Sequence, residues 1–131
     1  MLQKMQGMHL YEYAVLRVVP RVEREEFMNI GVVLYCPGLR FLEVSYFLDA
    51  LRLEALCPGL DIAELELYCR SFASVCMGNK KGGVLEMMPA PSRFRWLTAK
   101  RSTILQTSAV HPGLCEDPAA ELDRLMDLLV K

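Results

Sequence analysis

From Tyr11 to Val19 the chain alternates. One face carries Tyr11, Tyr13, Val15, Arg17 and Val19, and the other Glu12, Ala14, Leu16 and Val18. A period of two, rich in aromatic and β-branched residues, predicts a strand, and Pro20 ends it because proline cannot donate to a ladder. After the charged connection Arg21–Glu26, the run from Phe27 to Tyr35 is almost wholly apolar. A short continuous run with paired valines predicts a strand covered on both faces, central in its sheet. Gly31 inside it signals a bulge or a close backbone approach. Asn29 has two readings there: it orients a ligand, or it satisfies neighbouring backbone groups. Cys36-Pro37-Gly38 is turn chemistry, and Arg40 to Phe47 reads as a third strand. Connections this short predict an antiparallel meander.

The period then changes. Asp49 is placed to cap a short helix through Leu56, stopped by Pro58-Gly59. Asp61 with Glu64 three residues on predicts a second helix, whose apolar face is Leu65, Tyr68, Cys69, Phe72, Val75 and Cys76. Gly78 is a natural stop. The loop from Gly78 to Gly83 is basic and glycine-rich, yet no Gly-Lys-Ser/Thr follows, so it is no Walker A loop. Val84–Met88 has no clear assignment. Ser92 is read as the cap of a helix over Arg93–Ala99, with Phe94 and Leu97 on one side, where a strand would instead put Phe94 and Trp96 together; Trp96 is expected in the core, the other reading being a protein contact shared with Arg95. Ser102–Thr107 is read as a fourth strand, and Ser108–Cys115 as irregular, with a turn at His111-Pro112-Gly113. Asp117-Pro118 starts a C-terminal helix with the stripe Leu122, Leu125, Met126 and Leu129. The expected architecture is a single α+β domain over residues 10–131, preceded by a loose arm over residues 1–9. It is an antiparallel sheet of about four strands with helices packed on one face.

Composition narrows this picture. A chain of 131 residues suits one domain and buries enough surface to need no disulfide or metal. The hydrophobic share, 53%, lies above the usual ~45–50%, so either the core is generous or a partner covers apolar surface. Fifteen basic and 16 acidic residues give a net charge of -1, which makes no electrostatic case for nucleic acid or an anionic membrane. The five cysteines form no C-x-x-C pair and read as reduced core thiols in a cytoplasmic protein. The first residues lack the charged head and long apolar run of a signal peptide, and no run approaches the ~20 residues that span a bilayer.

Chemistry concentrates between Arg93 and Gly113. Arg93, Arg95, Lys100 and Arg101 stand close to Ser102, Thr103, Thr107 and Ser108. Guanidinium forks with hydroxyls suit a phosphate or carboxylate. Arg95, Arg101, Ser102 and His111, with Asn29 from the second strand, are therefore candidate ligand or partner contacts. His111 has the chemistry of a base or ligand but no visible nucleophile beside it, and His111 with Cys115 is too small a metal set. No catalytic residue, metal or cofactor is expected.

The segments Tyr11-Glu12-Tyr13 and Glu26–Leu34, then Arg93–Ala99 with Arg101-Ser102, and His111-Pro112-Gly113-Leu114 together resemble the bacterial family catalogued as domain of unknown function 3037. The resemblance runs from Tyr11 to Leu129. Lys100 stands where the family pattern has proline. The family brings no assigned activity. It implies one association, with a kinase-like neighbour similar to the HipA toxins, and so a protein partner. Two functions follow as expectations: a non-enzymatic protein-binding or accessory module, or an enzyme or sensor for a small anion using the Arg/Ser/His set. Self-association stays open under either.

Overall fold

Two strands hold the middle of the sheet because both of their faces are apolar. They are β1 (His9–Val18) and β2 (Met28–Cys36), paired antiparallel, with β3 (Phe41–Tyr46) beyond β2. This is the predicted meander. The computed structural model describes residues 6–131. The arm expected over residues 1–9 lies largely outside them, and His9 already pairs in β1 opposite Cys115. The remaining strands and α-helices are α1 (Ala50–Leu56), α2 (Ile62–Met77), α3 (Val84–Met87), α4 (Ala90–Leu97), β4 (Leu105–Thr107), β5 (His111–Cys115) and α5 (Pro118–Leu129), with short 3-10 turns at Val22–Arg24 and Pro37–Leu39. Strand order is β3-β2-β1-β4, and β5 lies along the same edge of β1 as β4. β4 pairs with Leu16–Val18 and β5 with His9–Tyr13, so together they make one broken outer strand.

Ser108 bridges the break. Its backbone N–H donates to the Val15 carbonyl at 2.8 Å, and its hydroxyl accepts the Val15 N–H at 2.8 Å. The side chain supplies the acceptor that the irregular backbone withdraws, which is why this hydroxyl is buried. The turn expected at His111-Pro112-Gly113 is thus corrected to a strand, while Ser108–Val110 is irregular as expected. Pro112 sits in an edge strand, where its missing N–H is tolerated. Gly113 makes room for an aromatic ring rather than a turn: a Cβ there would lie 2.4 Å from Tyr11 Cζ.

The α+β class, with helices packed against an antiparallel sheet, is as the sequence implied. The helices on one face are α2 and α4. Phe72, Val75, Phe94 and Leu97 meet Ala14, Leu16, Val18, Val33 and Tyr35 there, and Leu53 of α1 joins the same core. α5 occupies the opposite face, where Leu122, Leu125 and Met126 pack on Tyr11, Val32, Leu34 and Cys36. The two-sided apolarity of β2 requires this second layer, because a single helical layer would leave Val32 and Leu34 in water.

Local chemistry sets the remaining details. Asp49, Asp61 and Asp117 each accept backbone N–H groups at the helix starts they were expected to cap. Gly78 closes α2 at a positive φ of 73°. Gly31 combines both expected features: the β1–β2 register shifts beside it, and a Cβ there would fall 2.5 Å from the Ser45 carbonyl oxygen. The Val84–Met88 segment contains the short helix α3. α4 starts earlier than expected, with Pro89 rather than Ser92 at its cap position. Pro91 falls in the first turn, where a missing N–H costs nothing.

Four of the five cysteines are buried. Burial pushes the Cys69 and Cys76 thiols up to about 12 and Cys115 up to about 11. These thiols stay protonated near neutrality, which suits inert core residues.

Candidate functional site

Between α2, α4 and β4 the core opens into a cleft of about 570 Å³. Its floor is apolar: Phe72 and Val75 of α2, Leu85 of α3, and Ile104 and Leu105 at the start of β4. Its lip is polar and aromatic, made by Tyr68, Ser71, Trp96, Arg101, Thr103, Gln106 and Thr107. A cavity of this size, mainly apolar with a few polar groups, has the physical form of a ligand or side-chain receptor.

α4 decides where the tryptophan goes. Phe94 and Leu97 are three residues apart and both buried, so the helix turns their common side to the core. Trp96 then falls on the flank. Expected in the core, it is instead 39% exposed at the cleft mouth. The Arg101 guanidinium lies 4.1 Å from the centre of its ring. Arg101 also donates through Nη1 to the Leu97 carbonyl at 3.2 Å and through Nη2 to the Trp96 carbonyl. These oxygens belong to the last turn of α4, where the Trp96 carbonyl also accepts the Ala99 N–H at 3.4 Å and the Leu97 carbonyl is left to the arginine. Thr98 Oγ1 donates to the Phe94 carbonyl at 2.8 Å in the same way. Arg101 therefore closes a helix end and clamps an aromatic ring at once.

The cleft holds little acid–base chemistry. Its charged side chain is Arg101, whose pKa burial lowers from its ordinary value. Tyr68 donates its hydroxyl to Glu64 Oε1 at 2.7 Å, and that hydrogen bond raises its pKa. Neither group is a base near neutral pH. Among the described residues no group of three or more His, Cys, Asp or Glu is placed to hold a metal ion. Among them also, no helix is long and apolar enough to cross a membrane.

Of the five residues singled out in the sequence, Arg101 lines this cleft and the others lie elsewhere. Arg95, one residue from Trp96, is rotated by about 100° on the helix. It borders a shallow depression with Glu12, Tyr35 and Thr98. Ser102 is exposed on the loop into β4. His111 is exposed on β5, its ring 5.4 Å from that of Tyr13. Asn29 donates through Nδ2 to the Leu129 carbonyl at 3.2 Å, closing the end of α5 on the other side of the sheet. Proximity in sequence misled here because β4 and β5 meet different halves of β1, and because β2 turns Asn29 towards α5.

Tyr68, Ser71, Leu85 and Gln106 line the cleft without belonging to any sequence motif. Tyr68, which helical spacing puts in the apolar stripe of α2, is 42% exposed. Its position at the margin of that stripe was the available signal. Leu85 lay in the segment without an assignment.

An antiparallel sheet covered on both faces, with one face opening into an apolar cleft, defines a small α+β protein. The chain belongs to the family described as protein of unknown function (DUF3037), which matches residues 13–130. No curated protein and no solved structure matches it.

Proposed function

We propose that this chain is a non-enzymatic protein-binding module and that the cleft beside Trp96 is its docking site. The observation that carries this reading is the pairing of an apolar floor with a Trp96–Arg101 lip. Tryptophan and arginine are the residue types that most often anchor interfaces. A half-exposed tryptophan held rigid by a stacked guanidinium gives up little conformational freedom on binding. The cleft's ionisable groups favour gripping over proton transfer. The resemblance implies which partner to try first, the kinase-like neighbour similar to HipA toxins.

Co-expression with that neighbour, followed by purification on the tagged chain, tests the reading. The wild type is expected to retain the kinase, and Val75→Arg, which fills the cleft floor with a charge, to release it. Failure of the wild type to retain or modulate the kinase counts against the module.

The small-anion alternative keeps one observation in its favour, the Arg101 guanidinium at the cleft. Inorganic phosphate and nucleotides in a thermal-shift titration test it. A ligand at 100 times its Kd stabilises by roughly 2.7 kcal/mol. Absence of any shift removes this reading.

A further inference from the structure

β4 is the outermost strand on its side of the sheet, and every residue from Thr103 to Thr107 borders the cleft. The ladder fixes which way its backbone faces. Val19 N–H donates to the Ile104 carbonyl at 2.7 Å, and Ser108 N–H to the Val15 carbonyl at 2.8 Å. In an antiparallel pair alternate residues turn both backbone groups to the partner. Ile104, Gln106 and Ser108 therefore face β1, while Leu105 and Thr107 face away from it. The Leu105 carbonyl is occupied by the Thr103 hydroxyl at 2.8 Å. The Leu105 N–H and both backbone groups of Thr107 point outward, and among the described residues no strand pairs there. The side chains of Leu105 and Thr107 share a face with Val18 and Leu16, the face on which α2 and the cleft lie.

The charge of the cleft is equally one-sided. Arg101 uses two of its N–H groups on α4 and has others uncommitted. The ion pairs among the described residues join Arg24 to Glu26, Arg70 to Glu66 and Arg124 to Glu121. None includes Arg101, and no carboxylate lines the cleft. A partly buried cation without a counter-ion is a site for an incoming acid.

We infer that the occupant of the cleft is an extended, acidic segment of a partner protein. It adds as a strand to the outer edge of β4, sets an apolar side chain on the floor formed by Phe72 and Val75, and presents a carboxylate to Arg101. This rests on the protein-binding reading above and specifies its mode. In this mode main-chain bonds supply affinity and the pocket for alternate side chains supplies selectivity. Free edges with outward N–H and C=O groups are the standing template for such pairing. A small amphipathic carboxylate would use Arg101 and the floor but would leave the β4 edge unused.

The test uses the full chain against a displayed library of short random peptides, with Trp96 as reporter. It is the sole tryptophan, so its emission reads the cleft directly. Selected peptides are expected to alternate apolar and polar residues, to carry an acid, and to shift Trp96 emission to the blue. Thr107→Pro removes an outward N–H together with the Thr107 side chain at the cleft, so Thr107→Val, which keeps the N–H, is the control and circular dichroism checks the fold of both. Thr107→Pro is expected to weaken binding by about tenfold or more, and Arg101→Gln to erase the preference for acidic over amidated peptides.

Peptide binding that survives Thr107→Pro at full strength overturns strand addition. A selection without acids overturns the acidic contact with Arg101, and a Trp96 shift given by octanoate but by no peptide overturns the peptide occupant. Concentration-dependent dimerisation that competes with peptide assigns the edge to a second copy instead. Kinase retention that survives Thr107→Pro leaves the protein-binding reading standing while this mode fails. Absence of retention by the wild type removes the broader reading itself.

Discussion

The two faces of one sheet are finished differently. Against α5 the face is closed. Leu122, Leu125 and Met126 fill it, and its rim is tied by polar bonds: Tyr11 Oη to Glu121 at 2.5 Å, Arg124 Nε to Glu121 at 2.6 Å, and Asn29 to the Leu129 carbonyl. Against α2 and α4 the face has an equally dry centre but stays open at its β4 side. The difference lies on the α4 side, since α2 spans 16 residues on the open face. α5 has 12 residues and an unbroken stripe, whereas α4 has eight and ends beside Trp96. Where the shorter helix stops, the floor it would cover becomes the cleft. The closed face is built for stability, and the open face gives up some burial to leave a surface.

The contrast is most easily broken by truncation on each side. Leu125→Ala is expected to cost about 2–5 kcal/mol, the range for a buried leucine whose site collapses incompletely. Trp96→Ala, at the open mouth, is expected to cost under about 1 kcal/mol, chiefly its stack with Arg101. Urea midpoints measure both. Equal costs would mean the two faces do not differ in kind.

A sharper probe of the closed face is Gly113→Ala. Its methyl group would press on Tyr11, which Glu121 holds in place. A loss of about 1–3 kcal/mol is expected, as for an overpacked core. Adding Tyr11→Leu should remove much of that loss, so the double mutant's stability will be non-additive.

The smallest expected effect is in acid. The hydrogen bond from Arg124, with a further one from Tyr11, lowers the Glu121 carboxyl below its ordinary 4.5, against an opposing effect of burial. A depressed folded value contributes stability that is complete above the unfolded value and is lost as pH falls through the folded one. Thermal midpoints of the wild type should therefore fall more steeply below pH 4.5 than those of Arg124→Ala. Parallel curves would show that the rim network adds nothing to the closed face.

Most elements were legible because local rules fixed them. Alternation gave β1, continuous apolarity gave β2 and its central place, and capping acids gave α1, α2 and α5. Gly31 announced the bulge. Errors gathered where long-range pairing overrode a local cue. His111-Pro112-Gly113 has the chemistry of a turn, but β1 offered an edge on which a strand could form. Trp96 has the composition of core, but the phase of α4 is set by Phe94 and Leu97.

The candidate site was less legible than the fold. Arg101 was named, yet it shares the cleft with Trp96 and with Tyr68 and Ser71 of α2, and not with Arg95, Ser102, His111 or Asn29.

By itself, the sequence determined the α+β class, the meander, the starts of α1, α2 and α5, and the placing of most thiols in the core. These depend on periodicity and capping, whose physics acts over a few residues. Only the tertiary structure decided that helices cover both faces, that β4 and β5 share one edge of β1, and that a cleft opens where α4 ends. Those outcomes depend on which apolar surfaces meet across the sheet, and on the helix length left to cover them.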